Sequence, residues 1–212
     1  MFSIIKDCSP YYITFSYAGL DNYIKLLQDI ANRSNFVVSN NKGVTAIQEV
    51  YPNYQTEEFY VKDDKDLTSL IDNNPCSEFL HLDRSTAFLT TYPGVKSPIH
   101  LDINAKINKP VNFRINYPVF IKDNQCITRW YDSQDAVHHK KVNYILDESI
   151  KKPKCVESLH FSQDHAILFN TTIYHEWDNT LSNNPRTIVG MRTNNEYRDM
   201  TFADAKKILF GI

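Results

Sequence analysis

An excess of charge of one sign is missing from this chain: 23 lysines and arginines stand against 25 aspartates and glutamates over 212 residues. Without a polybasic balance there is no global pull toward nucleic acid or an anionic membrane, and a polyanionic substrate is disfavoured. Long apolar runs are missing too. The longest are strand-sized, which argues against a secretory leader or a spanning helix and predicts an intracellular, cytoplasmic protein with no membrane partner. Paired cysteines are absent: Cys8, Cys76, Cys126 and Cys155 are scattered without a CxxC and read as reduced, mostly buried thiols. Repeats, linkers and low-complexity tracts are also lacking, so a single domain is expected over residues 1–212.

What the chain does have is aromatic and apolar mass, with 42% hydrophobic residues, thirteen tyrosines and twelve phenylalanines. Leu20 to Ser34 is its best helix, with Tyr23, Leu26, Leu27, Ile30 and Ala31 at spacings of three and four. Met1 to Tyr17 reads as a short strand and a turn around Ser9-Pro10. Asp63 to Asp72 suggests one or two helical turns. From Phe79 onward short β-rich pieces recur between Pro, Gly, Asn and Asp. They are Thr86–Tyr92, Ser97–Ile103, Val111–Phe120, Cys126–Tyr131, Lys141–Ile145 and Cys155–Phe161, the pattern of a sandwich or barrel. Thr201 is placed to cap a short C-terminal helix through Phe210. The division expected is an N-terminal mixed extension (1–78), a β core (79–195) and a C-terminal helix (196–212).

The chemistry concentrates between His165 and Arg192. Two strand-like runs flank the turn-rich stretch Asp178 to Pro185, which predicts a hairpin with a long loop. Such a hairpin would set His175 against Arg186 across its strands. Asn170 and Asn179 are placed to orient His175, because a metal-bound imidazole needs a partner for its other nitrogen.

Metal ligands on a strand favour alternate positions, which share a face. His-Leu-Asp occurs twice, at His81-Leu82-Asp83 and His100-Leu101-Asp102. The second follows a Pro-Gly turn and opens a new strand, and it leaves room for several strands before His175, so it is preferred. His100, Asp102 and His175 together make a two-histidine, one-carboxylate set, which occupies one face of an octahedral metal and leaves positions open, as in non-haem Fe(II) oxygenases. A chelating 2-oxo acid would leave its far carboxylate in need of a counter-ion, and Arg186 supplies a guanidinium suited to two parallel hydrogen bonds. Asn112, Arg114 and Asn116 alternate on one strand face. That face is either the lining of a cosubstrate pocket or a solvated exterior, and alternation does not choose between them. Thr128 shares a face with Trp130 and is a further candidate for the pocket.

With PGVKSPIHLD, NFRINYPVF, TRWY, LFNTTIYHEWDN and the later PR in place, the sequence resembles the 2-oxoglutarate/Fe(II)-dependent oxygenases, in particular small phage and bacterial hydroxylase-like members. The resemblance covers roughly Ala87 to Arg192. It implies a double-stranded β-helix, a cupin-like jelly roll clad by N- and C-terminal helices, making the chain mainly β. It implies Fe(II) on His100, Asp102 and His175, with 2-oxoglutarate as cosubstrate on Arg186. Arg192, six residues on, is the second candidate for that arginine. An aspartate at position 102 implies hydroxylation of a C–H bond rather than halogenation, with 2-oxoglutarate and O2 consumed and succinate and CO2 released. The primary substrate is unidentified, with a small molecule or a protein side chain favoured over nucleic acid. Two other classes stand beside this one: a jelly-roll binding protein without catalysis, and a cupin-like metal enzyme that uses no oxo acid.

Overall fold

The computed structural model describes residues 1–33, 37–38, 56–60, 69–70, 73–77, 80–81, 87–104, 109–134, 136–193 and 199–212. The chain opens with a hairpin, β1 (Phe2–Cys8) and β2 (Tyr12–Tyr17), turned at a cis Ser9-Pro10 bond. Helix α1 (Leu20–Arg33) follows, then the short strands β3 (Val37–Val38), β4 (Thr56–Tyr60) and β5 (Leu80–His81). Next come β6 (Ala87–Thr91), β7 (Ile103–Asn104), β8 (Lys109–Pro110), β9 (Phe113–Phe120) and β10 (Ile127–Tyr131). The pair β11 (His138–His139) and β12 (Val142–Leu146) precedes β13 (Cys155–His160), β14 (Ala166–Asn170), β15 (His175–Asp178) and β16 (Arg186–Thr193). Helix α2 (Phe202–Phe210) closes the chain, with Thr201 and Asp204 forming a capping box at its start.

The strands gather into a large antiparallel sheet in the order β1-β2-β14-β9-β16-β6-β4-β3, with β5 also pairing β16, and a smaller sheet in the order β13-β10-β15. Alternation along β9 shows how the large sheet serves two layers. Phe113, Ile115, Tyr117 and Val119 point to one face and pack with Tyr23, Leu27 and Ile30 of α1 and Phe202 and Leu209 of α2. Arg114 and Asn116 point to the other face, toward the small sheet. Between the sheets Trp130 of β10 and Leu159 of β13 meet Tyr12, Ile167, Phe169 and Ile188 of the large sheet. Two sheets around one apolar filling, with helices outside, make a jelly roll. Among the described residues no helix is long and apolar enough to cross a membrane.

Four expectations change in detail. On α1 the buried stripe runs through Leu20, Tyr23, Ile24, Leu27 and Ile30, while Leu26 is half exposed, so the stripe is rotated by part of a turn. The hairpin β1–β2 is no peripheral extension, since β2 pairs with β14 inside the large sheet. Ser97–Ile103 is not a continuous strand. Pro98 interrupts its donors, and pairing reduces to bridges at Lys96 and His100 followed by the two-residue β7. The thiols are all free, but only Cys76 and Cys126 are buried. Most of Asp63–Asp72 lies outside the described residues.

The expected hairpin between His175 and Arg186 is overturned. β15 belongs to the small sheet and β16 to the large one. The polar stretch between them crosses from sheet to sheet because Asn179, fully buried, anchors it: its amide donates to the carbonyls of Thr91, Tyr92 and Asn184. That ties the crossing to the end of β6, so β16 emerges beside β6 with Arg186 opposite Thr91.

Candidate metal centre

His100 and His175 are brought together by backbone pairing. Each donates its N–H to the other's carbonyl, at 2.9 and 3.0 Å, the close reciprocal pair of an antiparallel ladder. The two imidazoles lie with ring centroids 4.6 Å apart. Asp102, two residues after His100, turns its Oδ1 to both rings, 3.6 Å from His100 Nε2 and 3.7 Å from His175 Nε2. One donor atom from each of the three residues falls within 4.8 Å of the others.

The ring nitrogens are sorted by what faces them. His100 Nδ1 lies 2.8 Å from the Pro98 carbonyl and His175 Nδ1 lies 2.9 Å from the Ile173 carbonyl. A carbonyl only accepts, so in the neutral rings each Nδ1 carries the proton and each Nε2 keeps its lone pair for the shared point. The backbone carbonyls thus do the orienting expected of Asn170 and Asn179. The Asn170 amide instead donates to the Pro10 carbonyl, and Asn179 holds the crossing between sheets. Burial, with His100 adding to it, pushes the His175 imidazole down to about 4, keeping it in the neutral form that ligates metals. Burial also opposes ionisation of Asp102. The Arg114 guanidinium and the neighbouring imidazoles outweigh it and hold the carboxyl well below the usual carboxylate range.

This cluster opens into a cavity of about 120 Å³ between the sheets. Thr91, Arg114, Asn116, Thr128 and Arg186 supply its polar lining; Leu89, Phe161, Phe169, Trp177 and Ile188 supply the apolar remainder. Arg186 is buried, and its guanidinium lies 4.5 Å from the Phe161 ring centroid and 5.9 Å from that of Trp177. One of its nitrogens donates to Cys126 Sγ at 3.3 Å, and Nε has no hydrogen-bond partner. No described carboxylate pairs with it. A buried cation without a counter-ion is costly to fold around, and an anion in the cavity would offset that cost. Asn116 Oδ1 is a second buried polar atom on this lining without a partner.

Of the residues selected by sequence, His100, Asp102, Arg114, Asn116, Thr128, His175 and Arg186 all line this one cavity. Asn112 departs from the group. It precedes the first residue of β9, and its amide donates to the Met200 carbonyl near the start of α2. The Arg192 and His81 side chains and residues 82–83 lie outside the described parts of the chain; along the backbone Arg192 pairs with Arg114 and His81. Sequence reasoning missed the ion pair between Arg114 Nε and Asp102 Oδ2, which are twelve residues apart in irregular register, and the contact of Cys126 with Arg186. The donor set fits a divalent ion with a preference for nitrogen and oxygen ligands.

No protein-family model matches the chain, and no curated protein matches it in sequence. Among solved structures it is similar to the non-heme alpha-ketoglutarate-dependent carbocyclase SnoK from nogalamycin biosynthesis, at 9% identity and a TM-score of 0.50, covering 86% of this chain and 78% of that one. It also aligns with AviO1 from Streptomyces viridochromogenes, at 12% identity, a TM-score of 0.41 and coverage of 87% and 90%. A third match is a prolyl hydroxylase from Trichoplax adhaerens bound to a hypoxia inducible factor peptide fragment, at 12% identity, a TM-score of 0.35 and coverage of 84% and 92%. The chain has the double-stranded β-helix fold, the jelly roll it shares with the carbocyclase.

Proposed function

We propose that the protein is an Fe(II)- and 2-oxoglutarate-dependent dioxygenase that hydroxylates a C–H bond of a small molecule or a protein side chain. The observation that carries this reading is a conjunction in one cavity: three neutral-or-anionic donors aimed at one point, and a buried arginine with no carboxylate partner among the described residues. His100 Nε2, Asp102 Oδ1 and His175 Nε2 would hold the ion. When bound there, Fe(II) supplies the dioxygen chemistry that couples oxidation of the substrate to conversion of 2-oxoglutarate to succinate and CO2.

The chain's own contribution is binding, orientation and exclusion of water. Arg186 takes the far carboxylate of 2-oxoglutarate in charge-assisted hydrogen bonds, and Phe161 and Trp177 hold the guanidinium plane while keeping the pair dry. Thr128 and Asn116, on the same cavity lining, would offer the cosubstrate further polar groups. Thr128 sits directly opposite Trp177 on the paired strands β10 and β15, so one element bounds both the ligand residue and the anion site. The fold is shared with a carbocyclase, so it supports the reagent pair more strongly than the product, and hydroxylation rests on Asp102 completing the ligand set.

Anaerobic addition of Fe(II), with and without 2-oxoglutarate, tests this without a substrate. A weak visible charge-transfer band is expected on adding both. It should vanish in His175→Ala, whereas Arg186→Gln should retain Fe(II) and need about 100-fold more 2-oxoglutarate. No band and no Fe(II) affinity would sink the assignment in favour of a binding protein. Fe(II) affinity without any response to 2-oxoglutarate would favour a cupin-like metal enzyme.

A further inference from the structure

Arg114 stands on β9 with its side chain in the cavity, and the sequence places it among cosubstrate-binding residues. Its contacts give it a different task. Arg114 Nε donates to Asp102 Oδ2, while Asp102 Oδ1 faces the two histidine Nε2 atoms at 3.6 and 3.7 Å. The two carboxylate oxygens are therefore divided, one for the arginine and one for the shared point.

A second observation concerns the space beside this pair. Gly190 on β16 lies beside β9, opposite Asn116. A Cβ added at position 190 would stand 3.1 Å from Asn116 Oδ1 and 3.6 Å from Arg114 Nη1. The first of these is tighter than ordinary packing and the second is an ordinary contact, so a methyl there would press on Asn116, the neighbour of Arg114 on this face of β9, and reach Arg114 only through it. Asp102 has little else to fix its rotamer. Its backbone carbonyl accepts from Val111 N at 2.9 Å, and among the described residues its side chain's polar contacts are with Arg114 and the imidazoles.

We propose that Arg114 is a positioning residue that commits Asp102 to binding a divalent cation through Oδ1 alone, leaving the remaining coordination positions to exogenous ligands. The inference rests on the oxygenase reading above. A carboxylate free to rotate could chelate with both oxygens and occupy one of those positions. The guanidinium also repels a cation, so removing it has two opposed consequences, and the proposal requires the loss of orientation to dominate.

Mn(II) alone, in the absence of any oxo acid, is the probe. Its affinity by calorimetry and its electron paramagnetic resonance line shape are measured for wild type, Arg114→Met, Arg114→Lys and Gly190→Ala. Thermal melts of each variant check the fold. Arg114→Met is expected to bind about 10–100-fold more weakly, as losses of groups that orient ligands commonly do, with a changed line shape. Arg114→Lys, which keeps a donor for Oδ2, should fall between the two, and Gly190→Ala should shift in the same direction by less. Wild-type affinity and line shape in Arg114→Met overturn the inference, as does tighter binding. So does a defect that appears only as weaker 2-oxoglutarate binding at saturating Mn(II), which would return Arg114 to the cosubstrate. If Arg114→Met does not fold, Arg114→Lys decides: an unchanged line shape overturns the inference, and a changed one supports it. A wild-type protein that takes up no Mn(II) would instead defeat the underlying oxygenase reading.

Discussion

The strand β15 has two faces that treat buried polar groups in opposite ways. Glu176 and Asp178 point outward and are both buried. Arg129 bridges them, donating to Glu176 Oε1 at 3.0 Å and to Asp178 Oδ2 at 2.7 Å. The Tyr131 hydroxyl donates to the same Glu176 oxygen at 2.5 Å, and Lys96 Nζ lies 3.5 Å from the other one. Thr180 closes on Asp178 Oδ1 through both its N–H and its hydroxyl. On this face each charge finds its counter-charge within the protein, although Glu176 Oε2 meets Lys96 only as an ion pair and accepts no hydrogen bond among the described residues. On the inner face His175 Nε2 has no hydrogen-bond donor among the described residues and faces Asp102 Oδ1 at 3.7 Å, and Arg186 keeps a cation without a described carboxylate. Charges paired within the protein stabilise and specify the fold; the lone pair and the cation left open at the same depth are where the proposed ion and cosubstrate would bind.

The largest test of that contrast is Arg129→Met. It leaves Glu176 with only the half-exposed Lys96 as a cation and Asp178 with none among the described residues, and should cost about 3–5 kcal/mol, read as a lower urea midpoint. Mn(II) affinity on the inner face should stay within about threefold, on the expectation that well-separated groups act additively. A parallel collapse of metal binding would show that the two faces act as one unit.

The inner face should reveal itself through pH. In the metal-free protein His175 is pushed down from 6.5 to about 4. Between those values the unfolded chain binds the proton and the folded chain does not, so stability rises with pH across the window and is lost as pH falls through it. The loss should be on the order of 3 kcal/mol, since each tenfold difference in proton affinity between the folded and unfolded chain is worth about 1.4 kcal/mol. The outer face works elsewhere on the scale. Asp178 is lowered from 3.8 although burial opposes it, by Thr180 and Arg129, and its contribution disappears only as pH falls below that value. Denaturant melts at several pH values on wild type and His175→Gln separate the two. An equally steep slope in the variant would assign the pH dependence to other groups.

Much of this was legible in the chain. The α1 periodicity, the Thr201 cap and the spacing of most β pieces are local signals that correspond to elements in place, Ser97–Ile103 being the exception. His-x-Asp was legible as a spacing of two after the Pro93-Gly94 turn, although His100 joins the sheet only through isolated bridges and Asp102 precedes β7. What escaped was pairing at a distance. Nothing near Asp178–Pro185 tells that Asn179 will bind the end of β6 and send β15 and β16 into different sheets. The alternation of Asn112, Arg114 and Asn116 left the inward direction open, and Asn112 leaves the face because β9 begins only at Phe113. The outer network was invisible for the same reason. Glu176 and Asp178 look like ordinary polar residues beside a histidine until β10 brings Arg129 opposite Glu176.

The smallest test sharpens the outer side of the contrast. Thr180 is exposed, yet its N–H and hydroxyl reach Asp178 Oδ1 at 2.9 and 2.5 Å, an Asx-type closure that starts the crossing to β16. Thr180→Ala removes the hydroxyl and keeps the backbone bond. Arg129 still neutralises the carboxylate, and water can reach the vacated position. The cost should therefore be about 0.5–1 kcal/mol, the net value of one hydrogen bond replaced by solvent. Cavity chemistry should not feel it, because Asn179 independently holds the crossing through three backbone carbonyls. A melt shifted by that small amount, with the Fe(II) and 2-oxoglutarate band unchanged, is the expected result. A weakened band would mean that the crossing depends on Asp178 as well as Asn179, and that the closed face helps to set the open one.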